Sequence, residues 1–175
     1  MVEDNMYFAT PKTMEWIEKL KQESKKNGTV GCVVLDKQGN LTAGTSTGGM
    51  FKKRWGRIGD SPVIGAGTYA DNNSCAVSCT GHGEYFIRHA VAFDVCARYK
   101  YLKESVEKAA DYIIHTELNT NAGNGGLIAV DKLGNIAMPY NSGGMFRGFL
   151  YKEKGSPEIK KGCGIGKKIV VVGEK

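Results

Sequence analysis

The sequence GTVGCVVLDKQGNLTAGTSTGG at residues 28–49 carries the clearest structural pattern in the chain. Its apolar, β-branched part, Thr29–Leu35, favours a strand. Asp36–Asn40 has the composition of a tight turn, and Leu41–Thr47 returns as a second strand. We therefore predict a β-hairpin whose first strand begins with a threonine.

A related hairpin is predicted 95 residues later. DKQGNLTAGTSTGGMF at Asp36–Phe51 is repeated as DKLGNIAMPYNSGGMF at Asp131–Phe146, an offset of 131 − 36 = 95. Eight of the sixteen aligned positions are identical, including the Gly-Asn pair of the turn. The position equivalent to Thr29 is 29 + 95 = 124, which is Asn124, so the late copy has no hydroxyl there.

The remaining sequence predicts an α+β protein. Two short strands and two helices are expected between the hairpins: Val63–Ala66, Ser74–Cys79, Glu84–Arg98 and Ser105–Glu117, the last capped by Ser105. Thr10 and Pro11 have the pattern of a helix start before Gly28. Strands grouped together and followed by helices favour antiparallel sheets over βαβ units. The Gly- and Lys-rich sequence after Ser142 is expected to be poorly ordered.

Composition limits the class of protein. The chain has 175 residues, enough for one domain, and a formal net charge of +6. From Arg147 onward there are eight basic and three acidic residues, 8 − 3 = +5, so nearly all the excess charge is in the tail. We interpret this tail as solvated and predict no nucleic-acid partner. No apolar stretch reaches the roughly 20 residues of a membrane span.

The cysteines and two short motifs exclude other functions. The five cysteines match neither a metal pattern nor a compact disulfide framework, which indicates reduced thiols in a cytoplasmic protein. Gly65–Ala70 fits a dinucleotide fingerprint, but ADNN follows it where a helix should begin. His82 and His89 lack the i, i+4 spacing of a zinc helix. We therefore predict no metal site.

The candidate chemistry begins at the Gly28-Thr29 dipeptide. The hydroxyls of Thr45–Thr47 end the return strand of the same hairpin and are expected near Thr29. Arg57 and Asp60 in GRIGDSP carry the charges that match the carboxylate and the ammonium of an amino acid. A surface salt bridge between them is the alternative interpretation.

A second candidate segment is Thr80-Gly81-His82-Gly83, which precedes the helix predicted from Glu84. Backbone N–H groups gather at a helix start and can stabilise an oxyanion. The alternative is an ordinary helix start without a catalytic role.

These motifs together resemble one family. GTVGCVVLDKQGNLTAGTSTGG, GRIGDSP, GAGTYAD, SCTGHGE and GGLIAVDKLGNIAMPYNSGGM occur in the order and at the separations of plant-type L-asparaginases, or isoaspartyl peptidases. That family is similar to the glycosylasparaginases and, more distantly, to taspase. The resemblance implies an αββα four-layer sandwich of the N-terminal-nucleophile hydrolase type, made as a precursor and cut between Gly28 and Thr29.

The resemblance also implies a division of the chain. Residues 1–28 are expected to be a linker helix and the remnant of an α-subunit, and residues 29–175 the catalytic β-subunit, with a basic, mobile tail from about residue 150. Most of the α-subunit half, with its sodium-binding loop, is expected to lie outside this chain, so no cofactor is expected within it. The implied partners are an α-subunit segment and a second αβ unit in a dimer.

The family's functional residues correspond to positions in this chain. By resemblance, the catalytic residues are Thr29, Thr47, Thr80 and Gly81, and the substrate-binding residues are Arg57, Asp60, Thr80, Gly81 and Gly83. Thr29 would form an ester with the aspartyl group of L-asparagine or a β-aspartyl dipeptide, and water would release L-aspartate. A glycosylasparaginase and a truncated, non-catalytic fragment remain alternative interpretations.

Overall fold

The computed structural model describes residues 10–12, 14–15, 28–50, 53–152, 159–164 and 170–173. Residues 11–12 and 14–15 are helical, and the Met14 amide donates to the Thr10 carbonyl at 2.9 Å, as a helix beginning at Pro11 requires. The rest of the predicted linker helix lies outside the described residues.

The early hairpin is confirmed. Strand β1, Thr29–Leu35, pairs antiparallel with β2, Leu41–Thr47, and Thr29 lies opposite Thr47. Asp36 closes the turn, because its Oδ1 accepts from the amides of Gln38 at 2.8 Å and Asn40 at 2.7 Å. The Asn40 side chain donates to the other oxygen, Oδ2, at 2.8 Å.

The late hairpin repeats this turn. Strand β5, Gly125–Asp131, pairs with β6, Ile136–Ala137. Oδ1 of Asp131 accepts from the amides of Leu133 and Asn135, both at 2.9 Å, and Oδ2 accepts from the Asn135 side chain at 2.8 Å. Asp131 is buried whereas Asp36 is exposed. The sequence repeat therefore corresponds to the same hydrogen-bonded turn in two environments.

Two further strands complete a four-stranded antiparallel sheet in the order β3, β4, β5, β6. They are β3, Thr68–Ala70, and β4, Cys75–Gly81, which confirms the strand predicted at Ser74–Cys79. The strand predicted at Val63–Ala66 is wrong. That segment is a turn, in which the Ala66 amide donates to the Val63 carbonyl at 3.0 Å.

The first predicted helix is interrupted. Three α-helices and a final helical turn are numbered in chain order: α1 Gly83–Arg88, α2 Val91–Ala97, α3 Val106–Tyr112 and α4 Leu118–Thr120. Wider π-type turns at Arg98–Leu102 and Ile113–Glu117 extend α2 and α3. The break falls at Ala90, whose φ is 45°. The carbonyls of Gly65 and Ala66 accept from the first amides of α2, so a tertiary contact starts this helix anew.

The second predicted helix is confirmed with its cap. Ser105 Oγ accepts from the Lys108 amide at 3.3 Å, and the helical region runs from α3 through α4. None of the helices in the described ranges is long and apolar enough to cross a membrane.

The four-stranded sheet separates two apolar clusters. One face of β4, with Cys75, Val77 and Cys79, packs with the helices in the main core. The opposite face, represented by Ala76, packs against the β1–β2 hairpin, including Val33. Helices, four-stranded sheet and hairpin therefore form three successive layers, consistent with the predicted α+β class.

A third sheet follows the late hairpin. It consists of β7, Arg147–Lys152, β8, Ile159–Gly164, and β9, Val170–Gly173, paired antiparallel in that order. The Gly- and Lys-rich sequence predicts a poorly ordered tail here and no strands. Exposure alternates at the start of β7, where Arg147 and Phe149 are half-buried and Gly148 and Leu150 are exposed. The Gly- and Lys-rich composition of this segment does not indicate that alternation.

Candidate active site

The β1–β2 hairpin is fixed to the four-stranded sheet by Ser78. Thr45 Oγ1 lies 2.6 Å from Ser78 Oγ and donates to the Gly67 carbonyl at 3.1 Å. Gly31, which pairs with Thr45 across the hairpin, lies directly against the Ser78 side chain and leaves no room for a Cβ. The hairpin and the sheet therefore meet in a defined register.

This register brings two candidate residues to the same end of the layers. Leu35 packs in the same cluster as Ala76, and the Ser78 contact lies further along both strands. The direction from Leu35 to Thr29 along β1 therefore corresponds to the direction from Ala76 to Thr80 along the facing strand β4. Side chains alternate along a strand, so Thr80 shares the hairpin face of β4 with Ala76. Thr29 and Thr80 consequently lie at the same end of the molecule.

Thr29 and Thr47 form a hydroxyl pair at that end. Thr29 Oγ1 donates to Thr47 Oγ1 at 3.3 Å, and Thr47 Oγ1 donates to the Gly28 carbonyl at 3.1 Å. The Gly49 amide donates to Thr47 Oγ1 at 3.0 Å and completes its hydrogen bonding. Thr47 thus contacts both the hydroxyl of Thr29 and the carbonyl that precedes it. This arrangement can orient a nucleophile and polarise the carbonyl that it attacks.

Asp60 is a buried carboxylate with an unused oxygen. The residue is 6% exposed, and its Oδ2 has no hydrogen-bond partner. Burial raises the pKa of the Asp60 carboxyl above its usual value; nearby Arg57 opposes this rise and Glu84 adds to it. A Cβ at Gly83 would lie 2.8 Å from Asp60 Oδ1, so the glycine permits the close approach of α1. A ligand ammonium would satisfy the orphaned oxygen.

Arg57 forms its ion pair with Glu84 and not with Asp60. Its Nη2 lies 3.1 Å from Glu84 Oε1. The side chain of Arg57 is 22% exposed and that of Glu84 is 58% exposed, so the pair faces solvent on the Glu84 side. Sequence reasoning missed Glu84. Its position in the first turn of α1, next to Gly83, was the only local signal.

Thr80 and Gly81 lie at the junction between β4 and α1. They end β4 opposite Gly126 and Gly125, and the chain then turns into α1. A Cβ at Gly81 would lie 2.6 Å from Phe86 and would also meet the Asn124 carbonyl, so only glycine fits there. The predicted residues therefore fall into a hydroxyl pair and a charged cluster of Arg57, Asp60 and Glu84, and the Thr80-Gly81 segment leads from the end of β4 into that cluster. No hydrogen bond among the described residues joins the pair to the cluster directly.

His82 and His89 lack the spacing of a zinc motif. In the structure His89 contacts a carboxylate, since its Nδ1 lies 3.1 Å from Glu117 Oε1. In the part of the chain that the structure describes, no group of three or more His, Cys, Asp or Glu side chains is placed to hold a metal ion.

The described residues thus form a layered α+β protein with a strand-opening threonine bonded to a second threonine, and with an arginine and a buried aspartate close together in sequence. Sequence comparison identifies its family. The family model described as asparaginase matches residues 3–159, and the chain belongs to this family.

Three relatives illustrate the similarity. The chain is 54% identical over 129 residues to a protein of Salmonella typhimurium named isoaspartyl peptidase, covering 74% of this chain and 41% of that protein. It is 49% identical over 143 residues to the Escherichia coli isoaspartyl peptidase, covering 76% and 44%. For the Mus musculus isoaspartyl peptidase/L-asparaginase, identity is 44% over 148 residues, covering 78% and 44%. The chain spans less than half the length of each relative.

Proposed function

We propose that the chain is the nucleophile-bearing part of an L-asparaginase/isoaspartyl peptidase that matures by cleavage between Gly28 and Thr29. The observation that carries this proposal is the hydrogen-bond network in which Thr47 contacts both the Thr29 hydroxyl and the Gly28 carbonyl. The names of the relatives support the same activity.

In the maturation step, Thr29 Oγ1 attacks the carbonyl carbon of Gly28. The hydroxyl of Thr47 stabilises the charge that develops on the Gly28 oxygen, since it already donates to that atom. The acyl group moves from the Thr29 nitrogen to its oxygen, and water hydrolyses the ester. The product begins at Thr29 and carries a free α-amine.

The free α-amine then serves as the base for hydrolysis. An α-amine has a pKa of about 7.7 to 8.0, so it can accept the hydroxyl proton near neutral pH, unlike an amide nitrogen. Thr29 attacks the side-chain carbonyl of the aspartyl substrate, and ammonia or an amino acid leaves. Water then hydrolyses the threonine ester and releases L-aspartate.

The two charged ends of the substrate are recognised by Arg57 and Asp60. Arg57 binds the α-carboxylate in place of or beside Glu84, and the unused Asp60 oxygen accepts from the α-ammonium. Gly83 gives the ammonium access to Asp60, while Thr80 and Gly81 stabilise the oxyanion. Recognition of both charges selects a free aspartyl residue whose β-carbonyl alone is substituted. The proposed reaction needs no cofactor bound by this chain.

The complete enzyme has more sequence than this chain. We infer that the three observed layers belong to an αββα sandwich, whose other helical layer and sodium-binding loop come from an α-subunit segment. That segment would cover the outer face of the hairpin, where Val30 and Val34 are exposed. Two αβ units would form a dimer. The five free cysteines are consistent with a cytoplasmic enzyme.

The test compares wild type with Thr29→Ala and the matched control Thr42→Ala, each supplied with a matching α-segment. Thr42 lies on the same hairpin and is exposed. Wild type and Thr42→Ala should yield a species of 175 − 28 = 147 residues by intact mass spectrometry and release L-aspartate from L-asparagine and β-aspartyl dipeptides. Thr29→Ala should do neither, because both steps need the same hydroxyl.

Normal processing of Thr29→Ala would place the scissile bond elsewhere. A wild-type protein that hydrolyses glycosylated asparagine but neither of the other substrates would assign the chain to the glycosylasparaginases. A wild-type protein that is neither cleaved nor active with the α-segment would favour the non-catalytic interpretation.

A further inference from the structure

Cys75 and Cys96 form a close thiol pair in the main core, on the side of the sheet away from the hairpin. Cys75 is the first residue of β4 and Cys96 belongs to α2. Their sulfur atoms are 2.9 Å apart, closer than van der Waals contact, and both residues are almost completely buried. A disulfide has an S–S distance of about 2.05 Å, so bond formation requires a sulfur displacement of roughly 0.9 Å.

The backbone around the pair is fixed by hydrogen bonds. Ser74 Oγ, itself fully buried, donates to the Cys96 carbonyl at 2.7 Å. Cys96 Sγ donates to the Cys75 carbonyl at 3.2 Å. These bonds hold the start of β4 and the last full turn of α2 at a constant separation. The pair therefore remains in contact without any rearrangement of the two elements.

The two sulfurs are chemically unequal. The hydrogen bond between the two thiols lowers the pKa of the Cys75 thiol and raises that of Cys96, while burial, Asp131 and Asp71 oppose the lowering at Cys75. Cys79, on the same face of β4, provides a contrast, because burial and the nearby Asp60 carboxylate raise the pKa of its thiol. The sulfur–sulfur contact therefore distinguishes Cys75 and Cys96 from Cys79, which has no thiol partner among the described residues.

A shallow surface recess gives a small oxidant a route to one member of the pair, Cys96. Cys96 lines this recess together with Tyr69 and Phe93. The Lys100–Asp71 ion pair, with an N···O distance of 2.9 Å, forms another part of its wall. The recess can admit a molecule of peroxide size but not a protein reductant or oxidant.

We propose that Cys75 and Cys96 are an oxidative modification site at which a hydroperoxide forms a disulfide between β4 and α2. The thiolate of one cysteine of the pair attacks one peroxide oxygen, the O–O bond breaks, and the departing oxygen leaves as water with the proton of that thiol. The sulfur of the second cysteine then attacks the sulfenic acid formed on the first, and the hydroxide of that sulfenic acid leaves as a second water with the proton of the second thiol. Two thiols and one hydrogen peroxide thus give one disulfide and two waters.

The primary test is peptide mapping of the full chain. Protein treated with hydrogen peroxide is alkylated with iodoacetamide and digested with trypsin without reduction. Cleavage after the arginines gives peptides 58–88 and 89–98, which contain Cys75 and Cys96 respectively. We expect these two peptides to be linked, with a mass two hydrogens below the sum of peptide 58–88 carbamidomethylated at Cys79 and peptide 89–98, and fragmentation to place the link at Cys75 and not at Cys79.

Two variants and a melting experiment complete the test. Cys79→Ala is the matched control and should retain the link, whereas Cys96→Ser should lose it. Because a buried substitution can unfold the chain, the Tm of wild type supplies an independent readout. It should rise by several degrees after oxidation and return with dithiothreitol, since the cross-link restricts the unfolded state.

The proposal is wrong if folded wild type gives no linked peptide although exposed Cys32 and Cys163 are oxidised. It is equally wrong if fragmentation places the link at Cys79, or if peptides 58–88 and 89–98 both carry irreversible sulfonic acids instead of a bond.

Discussion

Asp60 is the residue whose burial has the most direct consequence for the proposed reaction. Its carboxylate binds the substrate ammonium only when ionised, and burial raises its pKa. Ionisation is therefore lost as pH falls through a value above the usual 3.9 or so of aspartate. The proposed α-amine base of Thr29 already makes kcat/KM for L-asparagine fall below its own pKa, and we expect the fall to become steeper below the raised pKa of Asp60.

The measurement is kcat/KM against pH for wild type and Asp60→Asn. The variant should lose most of its activity and should keep the limb due to the α-amine without the steeper part that Asp60 produces. A wild-type profile that steepens only at or below the ordinary aspartate pKa would contradict the assignment of Asp60 to ammonium binding.

A substitution at Arg57 tests recognition of the substrate α-carboxylate. Arg57→Lys keeps the positive charge but removes the planar fork that binds a carboxylate at two points. Charged hydrogen bonds contribute about 1.5 to 3 kcal/mol, so KM for L-asparagine should rise on the order of tenfold to a hundredfold. Arg54→Lys, at an exposed position three residues earlier, is the control and should leave KM unchanged. Equal KM values for both variants would make Arg57 a structural residue.

At the level of elements, the contact between the β1–β2 hairpin and the sheet depends on Ser78. Ser78→Ala removes the 2.6 Å hydrogen bond to Thr45, which keeps only its bond to the Gly67 carbonyl. We expect a loss of about 1 kcal/mol in the free energy of unfolding. Cleavage should also slow, because the hairpin positions Thr29. Urea denaturation and timed mass spectrometry measure the two effects.

Ser46→Ala controls for this change, since Ser46 is exposed on the same hairpin. If Ser78→Ala and Ser46→Ala unfold and mature alike, Ser78 does not fix the register between hairpin and sheet.

The elements that the sequence predicts correctly are those specified by neighbouring residues. Both hairpins follow from turns closed within five residues, and this spacing also predicts that Thr47 lies opposite Thr29. The failures have tertiary causes. The carbonyls of Gly65 and Ala66 bind the amides that start α2, and no local pattern reveals that contact. Glu84 was missed for the same reason, because its partner Arg57 lies 27 residues away.

At the level of the whole molecule, the hairpin presents an apolar surface. Val30 is 69% and Val34 is 47% exposed, on the face opposite the sheet. Exposed apolar strands favour association with a further segment or with another copy. We therefore expect the isolated chain to hydrolyse L-asparagine slowly and to self-associate, and a matching α-segment to restore turnover and a defined assembly.

Aspartate release and light scattering, with and without the α-segment, test this expectation. Thr29→Ala should assemble normally with the segment and remain inactive, which separates assembly from chemistry. Rapid turnover by a well-behaved monomer of the isolated chain would show that the chain is sufficient as it stands.

The two copies of the Asp-Asn turn serve different parts of the candidate site. The position equivalent to Thr29 in the late copy is Asn124, and its backbone carbonyl accepts from the His82 amide at 2.8 Å. The copy without a hydroxyl thus supports the chain just after the Thr80-Gly81 segment, while the copy with one presents the proposed nucleophile. Because a backbone atom makes the supporting contact, that contact does not require a particular side chain at position 124. One hairpin pattern, used twice, therefore supplies both the proposed reactive group and part of its scaffold.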